Sequence, residues 1–285
     1  MGPISACRGS IVTDLLINPA ARNASTLIGM TRAMKSPGLV ELVAHTSNEV
    51  SDPIYRMLFK FPVACTLMAS GLPLYFGKIF RPYLNNVKVL SVLDYLLSPW
   101  RWSLVLLAKG MGLLSGVAFI SQPSEQEVLD IFNEFKIVSG SHFDRNPLFL
   151  KWRFIEGPLF NGQVKWIGFR GVCFGYLVFK QVQLSGLNVC VLMDVVMRRK
   201  LTFMEGVAIK LLAVKFALDA ASDALFTLAN TNNSALEWLG RFPFISIPDS
   251  LLPHPTPIFI HASEEMYPLL NRKSIYLTLA DLDYF

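Results

Sequence analysis

The chain has 285 residues, of which 52% are hydrophobic and 16% charged, with a formal net charge of +5. A chain this long and apolar can bury a large core, so a disordered protein is excluded. The basic residues are scattered and their one tight cluster is Arg198-Arg199-Lys200. This excludes a stripe that tracks a nucleic-acid backbone, and leaves an anionic ligand, an acidic membrane surface or no such partner.

The four cysteines, Cys7, Cys65, Cys173 and Cys190, have no CxxC spacing and apolar neighbours. They read as buried thiols in a reducing compartment, which predicts a cytoplasmic protein. His45, His142, His254 and His261 lack metal-ligand spacing, so no metal is expected. The first residues have no basic segment followed by an apolar one, which predicts no secretory leader.

In chain order, "SIVTDLLI" (10–17) reads as a buried strand and "NPAARNAS" as a turn. Residues 26–35 have helical spacing and stop at "SPG"; residues 39–44 form a second short strand. A helix over 50–60 follows, with Pro53 in its first turn, where proline is tolerated. "FPVACTLMASGLPLYFG" predicts a strand pair broken at Ser70-Gly71. The apolar run 103–121, "SLVLLAKGMGLLSGVAFIS", is nearly long enough to cross a bilayer. Lys109 near its middle would cost about 3 kcal/mol there. The run is therefore expected to be a buried or surface-lying helix between domains, with Trp100, Arg101 and Trp102 at its polar end; peripheral membrane contact stays open.

"PSEQEVLDIFNEFKIV" predicts an amphipathic helix whose capping box pairs Ser124 with Glu127. "NPLFLKWRFIEGP" is a second helix or turn. Residues 163–170, 172–181 and 187–196 read as an antiparallel meander. A helix over 205–220, a strand over 224–229 and a helix in "NTNNSALEWLGRF" follow, then closing strands in "FISIP", "PIFIHAS" and "SIYLTLA". The order is α/β or α+β, with a mixed central sheet flanked by helices. The two halves rhyme: strand, polar turn, helix, short strand, asparagine, helix and a Phe-rich strand. We therefore divide the chain into 1–82, an apolar connector 83–122, and 123–285, the first copy lacking its front strands.

The stretch "INPAARNASTLIGMTRAM…GLVELVAHTSNEVSDPIYRMLFKF" resembles the second half of a GCN5-related N-acetyltransferase (GNAT) domain. In that family a strand leads into a loop whose backbone N–H groups hold the pyrophosphate of acetyl-CoA or another acyl-CoA at a helix N-terminus. The next strand ends in Asn and leads into a helix with the pattern N-x-x-[AS]-x-x-x-Y. Asn48, Ser51 and Tyr55 match it position by position, and the resemblance makes Tyr55 the acid for the leaving thiolate. "FLKWRFIEGP", "GYLVFKQV" and "IYLTLADLDYF" resemble tandem GNAT-like proteins of bacteria, so that the likeness covers most of the chain.

The resemblance implies an acyl-CoA-dependent N- or O-acyltransferase acting on a small or sugar-like acceptor. Its cofactor-binding positions would be Arg22, Asn23, Ser25, Thr26 and Asn48 in the first copy. In the second they would be Val195, Val196, Arg198, Arg199, Lys200, Leu201 and Asn233, with Asp194 as a catalytic candidate at the strand end. The chain departs from the family's loop signature, [QR]-x-x-G-x-[GA]: the matching stretches would be Arg22…Ser25…Leu27 and Arg199…Thr202…Met204, without the glycines. Leu239 stands where the second tyrosine would fall.

Acyl transfer from a thioester needs a polarised carbonyl, a base for the ammonium and an acid for the thiolate. Plainer readings stand beside these roles. Asn48 and Asn233 also fit simple N-caps, Tyr55 a core aromatic, Arg198 to Lys200 a solvated turn, and Asp194 a buried hydrogen-bond acceptor. No GxSxG elbow, Walker loop or HExxH occurs. A catalytically silent GNAT-like scaffold and a membrane-associated protein anchored by 103–121 remain as competing functions, and the oligomeric state stays open.

Overall fold

The computed structural model describes residues 9–12, 25, 28–29, 32, 42–46, 53, 56–57, 60–81, 87–157, 160–248, 257–262 and 275–281. Two short strands, β1 (Gly9–Val12) and β2 (Leu42–Thr46), pair in parallel. Residues 25, 28, 29 and 32 between them are helical, as are 53, 56 and 57 beyond them. Next come β3 (Val63–Thr66), β4 (Met68–Pro73), helices α1 (Phe76–Phe80), α2 (Val87–Leu96) and α3 (Ser98–Ser115), and β5 (Val117–Ile120).

The second half holds α4 (Glu125–Ser139), β6 (Ser141–His142), α5 (Pro147–Leu150) with a wide turn over Lys151–Ile155, β7 (Gln163–Phe169), β8 (Val172–Leu184) and β9 (Leu187–Met197). Then follow α6 (Phe203–Asp219), β10 (Ala224–Ala229), a 3₁₀ turn at Glu237–Gly240, β11 (Ile245–Ser246), β12 (Pro257–Ala262), β13 (Ile275–Tyr276) and a closing 3₁₀ turn at Leu279–Asp281.

The fold is mixed α/β. One sheet has seven strands in the order β11-β4-β10-β9-β8-β7-β5, and a second has four in the order β1-β2-β12-β3. The hairpins of the meander turn at Arg170-Gly171 and Ser185-Gly186, where both central residues have positive φ. Such turns match the right-handed strand twist. Helix α6 packs on this sheet with ten of its residues from Glu205 to Ala217 buried. Phe216 stacks on Phe179 at 4.3 Å between ring centroids.

The pairing order has an internal echo. β1 and β2 are parallel, and β2 pairs antiparallel with β12, which lies beside β3. β9 and β10 are parallel, and β10 pairs antiparallel with β4, which lies beside β11. The order β1-β2-β12-β3 thus repeats as β9-β10-β4-β11. In each sheet the third strand comes from the other half of the chain.

Three expectations are corrected. Ser70 and Gly71 are not a turn: both lie within β4, and the break falls at Leu67. Gly71 is required because a Cβ there would lie 2.4 Å from the Leu225 carbonyl oxygen. The run 103–121 is not one helix. Gly116, at φ 72°, closes α3 in the left-handed region, and 117–120 form edge strand β5 against β7. The stretch 230–242 is turns and a 3₁₀ segment, not an α-helix, because Asn230 and Asn233 use their side chains on the backbone. No described helix is long and apolar enough to cross a membrane.

Candidate functional site

The second-half candidates gather where β9 and β10 part. The two strands pair from Val189–Ala224 to Leu192–Thr227. β9 then bulges at Met193 against β8 and runs on to Met197. β10 turns instead toward the end of the chain: Ala229 bridges Thr278, the Asn230 amide donates to the Leu277 carbonyl at 3.0 Å, and Asn230 Nδ2 donates to the Ile275 carbonyl at 2.7 Å. From the β9 side, the Val195 carbonyl accepts a hydrogen bond from Tyr276 Oη. Residues 275–281 therefore fill the opening between the strand ends. Val195 and Val196 are buried there.

Beneath this plug is a buried ionic cluster. Arg145, from the loop after β6, donates Nε to Asp194 Oδ2 at 3.2 Å and Nη2 to Asp194 Oδ1 at 3.1 Å. The same Nη2 reaches Asp281 Oδ2 at 2.7 Å and Thr278 Oγ1 at 3.0 Å. Asp194 also accepts from Thr278 Oγ1 at 2.8 Å and from Tyr176 Oη at 3.3 Å. The side chains of Arg145, Asp194 and Asp281 are at most 1% exposed. Burial opposes the Arg145 charge, but Asp194 and then Asp281 outweigh it and hold its proton well above the usual range. The phenols of Tyr176 and Tyr276 are pushed well up, first by burial and then by Asp194. Both Asp194 oxygens are thus engaged by buried donors and the side chain is shielded from solvent. It anchors the closing segment to β9.

The turn after β9 carries Arg198, Arg199, Lys200 and Leu201. Arg198 donates to the Cys173 carbonyl at 3.2 Å and pairs with Glu134. Arg199 grips Glu205 with both guanidinium nitrogens, at 2.9 and 2.6 Å, and lies 4.8 Å from the Phe174 ring centroid. Lys200 is exposed and Leu201 half-buried. At the start of α6, Thr202 and Glu205 form a capping box. The Glu205 carboxylate accepts from the Thr202 amide and hydroxyl, both at 2.9 Å, and the Glu205 amide donates back to Thr202 Oγ1 at 3.3 Å. Arg199, ahead of the capping bonds, lowers the Glu205 pKa to about 2. The carboxylate of Glu205 thus lies at the N-terminal end of α6, where a negative charge is favoured.

Asn233 is buried and ties two segments together: Nδ2 donates to the Ser139 carbonyl at 2.8 Å, and Oδ1 accepts from the Ala235 amide at 2.8 Å. Ser25 is helical and exposed. Arg22, Asn23, Thr26, Asn48 and Tyr55 lie outside the described residues.

Sequence reasoning missed Lys210. It sits on the buried face of α6 and donates Nζ to the carbonyls of Trp238 and Arg241, each at 2.6 Å. Burial, then the Arg241 charge, push its pKa down to about 8. Its signal is a single lysine inside the apolar run "GVAIKLLAV". It borders a cavity of about 20 Å³ lined by Thr202, Gly206, Ser234 and Trp238, room for about one water. A wider recess of about 410 Å³ lies between Glu134, Arg170, Phe174, Arg198 and Arg199. Cys65, Cys173 and Cys190 are buried free thiols, and burial pushes Cys65 and Cys190 up to about 12. No three His, Cys, Asp or Glu side chains among the described residues gather as metal ligands.

No family model matches the chain, and no curated protein matches its sequence. Among solved structures it is similar to a GCN5-related N-acetyltransferase from Anabaena variabilis, with a TM-score of 0.46 and 10% identity over 86% of this chain and 52% of that one. It is also similar to a conserved Enterococcus faecalis protein described as a probable N-acyltransferase, with a TM-score of 0.44 and 11% identity over 89% and 52% of the two chains. Saccharomyces cerevisiae N-myristoyltransferase with bound myristoyl-CoA gives 0.44 and 12% over 87% and 60%. The chain spans between half and three fifths of the length of these proteins. Likeness at this level carries no argument about activity.

Proposed function

We propose that the chain is an acyl-CoA-dependent N- or O-acyltransferase built from two GNAT-like units, 1–82 and 123–285, with the coenzyme held by the first unit. What supports this placement is that the second unit's own residues occupy the start of α6 and the opening between its strand ends. Glu205 sits on the Thr202 amide, and residues 275–281 sit between β9 and β10. The first unit keeps the matching pattern in its sequence: Arg22, Asn23, Ser25 and Thr26 in the turn, Asn48 after the strand, and Tyr55 one helical stripe further. The repeated strand order supports two units of one pattern, with β4 and β12 exchanged between the two sheets.

In this reading an acceptor amine or hydroxyl attacks the thioester carbonyl. The new C–N or C–O bond forms as the C–S bond breaks, Tyr55 gives its proton to the thiolate, and the proton released by the acceptor passes through water to restore the Tyr55 phenol. A small or sugar-like acceptor follows from the resemblance alone. Calorimetry with acetyl-CoA and longer acyl-CoAs tests the assignment. Binding that Arg22→Ala weakens and Arg199→Ala leaves intact is expected. Loss of affinity in Arg199→Ala alone moves the coenzyme to the second unit.

A silent GNAT-like scaffold is the second reading. It is favoured by the same occupied positions and by the absence of glycine from both turns. No binding of any acyl-CoA up to millimolar concentration would decide for it.

A further inference from the structure

Helices α2 and α3 turn apolar side chains outward. On α3 the spacing Trp102, Leu106, Leu113 defines one stripe, with Leu107 and Leu114 beside it. These five side chains are between 48% and 86% exposed, while Leu104 and Ala108 on the opposite side are buried. On α2, Val89, Val92, Tyr95 and Leu96 are exposed, and Leu90 points inward. The outward arcs of both helices are thus largely apolar, interrupted by Lys88, Ser91, Ser103 and Lys109. Adjoining exposed apolar residues on this scale mark an interaction surface.

The charges of the same segment indicate the partner. Residues 87–115 carry Lys88, Arg101 and Lys109 against a single acid, Asp94. Asp94 turns inward, where its Oδ1 accepts from the Gly77 amide at 2.8 Å. Arg101 lies over the Tyr75 ring at 4.2 Å. Lys109 is exposed beside the Trp102 stripe, and Lys88 is exposed in the first turn of α2. Apolar side chains, one Trp and one Tyr on a face that also carries lysine suit the boundary between headgroups and acyl chains of an anionic bilayer. A twofold dimer through this face would bring like charges together, which disfavours a second copy.

We propose that α2 and α3 form a peripheral docking face for anionic membranes, lying flat on the surface. This goes beyond the acyltransferase reading and does not depend on it. The test is flotation of the whole protein with vesicles of phosphatidylcholine, with and without phosphatidylglycerol, at low and high salt. Binding to the anionic vesicles that salt weakens is expected. Lys109→Glu should lower the partition coefficient by about fivefold or more, from loss of one basic contact with the surface and gain of a repelled charge. Leu106→Glu with Leu113→Glu should abolish binding, while circular dichroism shows an intact fold.

Absence of binding at millimolar lipid overturns the proposal. So does binding that the leucine variants leave unchanged. A concentration-dependent dimer that Leu113→Glu dissolves would assign the face to a second copy. Failure of Leu106→Ser and Leu113→Ser to fold would mean that the face is covered within the protein, and also overturns it.

Discussion

The Glu205 carboxylate accepts from the backbone amide of Thr202 at 2.9 Å, at the helix terminus that directly follows β9. The contact caps α6 and sets the position of Arg199, which grips the same carboxylate.

Glu205→Gln should lower stability by about 0.5–1 kcal/mol: glutamine can still accept from Thr202, and what is lost is the ion pair with Arg199. The pH dependence has a definite sign. Arg199 lowers the Glu205 pKa from 4.5 to about 2, so the folded state holds the deprotonated form more firmly than the unfolded chain does. That contribution is complete above about 4.5 and is lost as pH falls toward 2. Urea unfolding between these values should show a steeper loss for the parent protein than for Glu205→Gln. Equal slopes would remove the ion pair from the account.

Arg145→Met should be among the most damaging single changes. It leaves Asp194 and Asp281 buried and facing each other's charge, at a cost of about 3–5 kcal/mol. Adding Asp281→Asn should recover part of that loss, since the two residues share the Arg145 Nη2 contact. Chemical denaturation of the two single variants and the double variant measures the coupling; strict additivity would refute the shared cluster.

What the sequence made legible was local. The box of Ser124 and Glu127 follows from residues three apart, and the structure has both of its hydrogen bonds. The hairpins at Arg170-Gly171 and Ser185-Gly186 follow from glycine between β-rich runs, and the strand 224–229 has the expected bounds. What escaped was set by distant partners. Nothing near Asp194 announces Arg145 or Asp281, which arrive from another loop and from the closing segment. The Ser70-Gly71 pair has the composition of a turn, but its glycine answers to a neighbouring strand's carbonyl. Three glycines in the run 103–121 look alike in sequence, and it is Gly116 that closes α3.

Lys210 offers a test of the α6 interior. Its pKa is pushed from 10.5 down to about 8 by burial and the Arg241 charge, so the folded state sheds this proton earlier than the unfolded chain. The parent protein therefore gains stability from this residue as pH rises from about 8 to 10.5. Lys210→Met should be less stable at neutral pH, because the Trp238 and Arg241 carbonyls lose their donor. The gap between the two proteins should then widen as pH rises through that window. A gap that stays constant in thermal melts would mean that the ammonium is not held as described.

Gly71→Ala tests the exchange of strands between the two sheets. β4 lies between β10 and β11, and Gly71 stands opposite Phe226 on one side and Ile245 on the other. An added Cβ would meet the Leu225 carbonyl oxygen at 2.4 Å, a backbone atom that cannot rotate away. Strand β4 would have to shift, and the strain should cost about 1–3 kcal/mol. Because β4 brings a segment from the first half of the chain into the seven-stranded sheet, the loss should appear in the whole cooperative transition and not as local fraying. Hydrogen exchange of β10 amides is the sharper readout. Faster exchange across 224–229 is expected, and unchanged protection there would place β4 elsewhere.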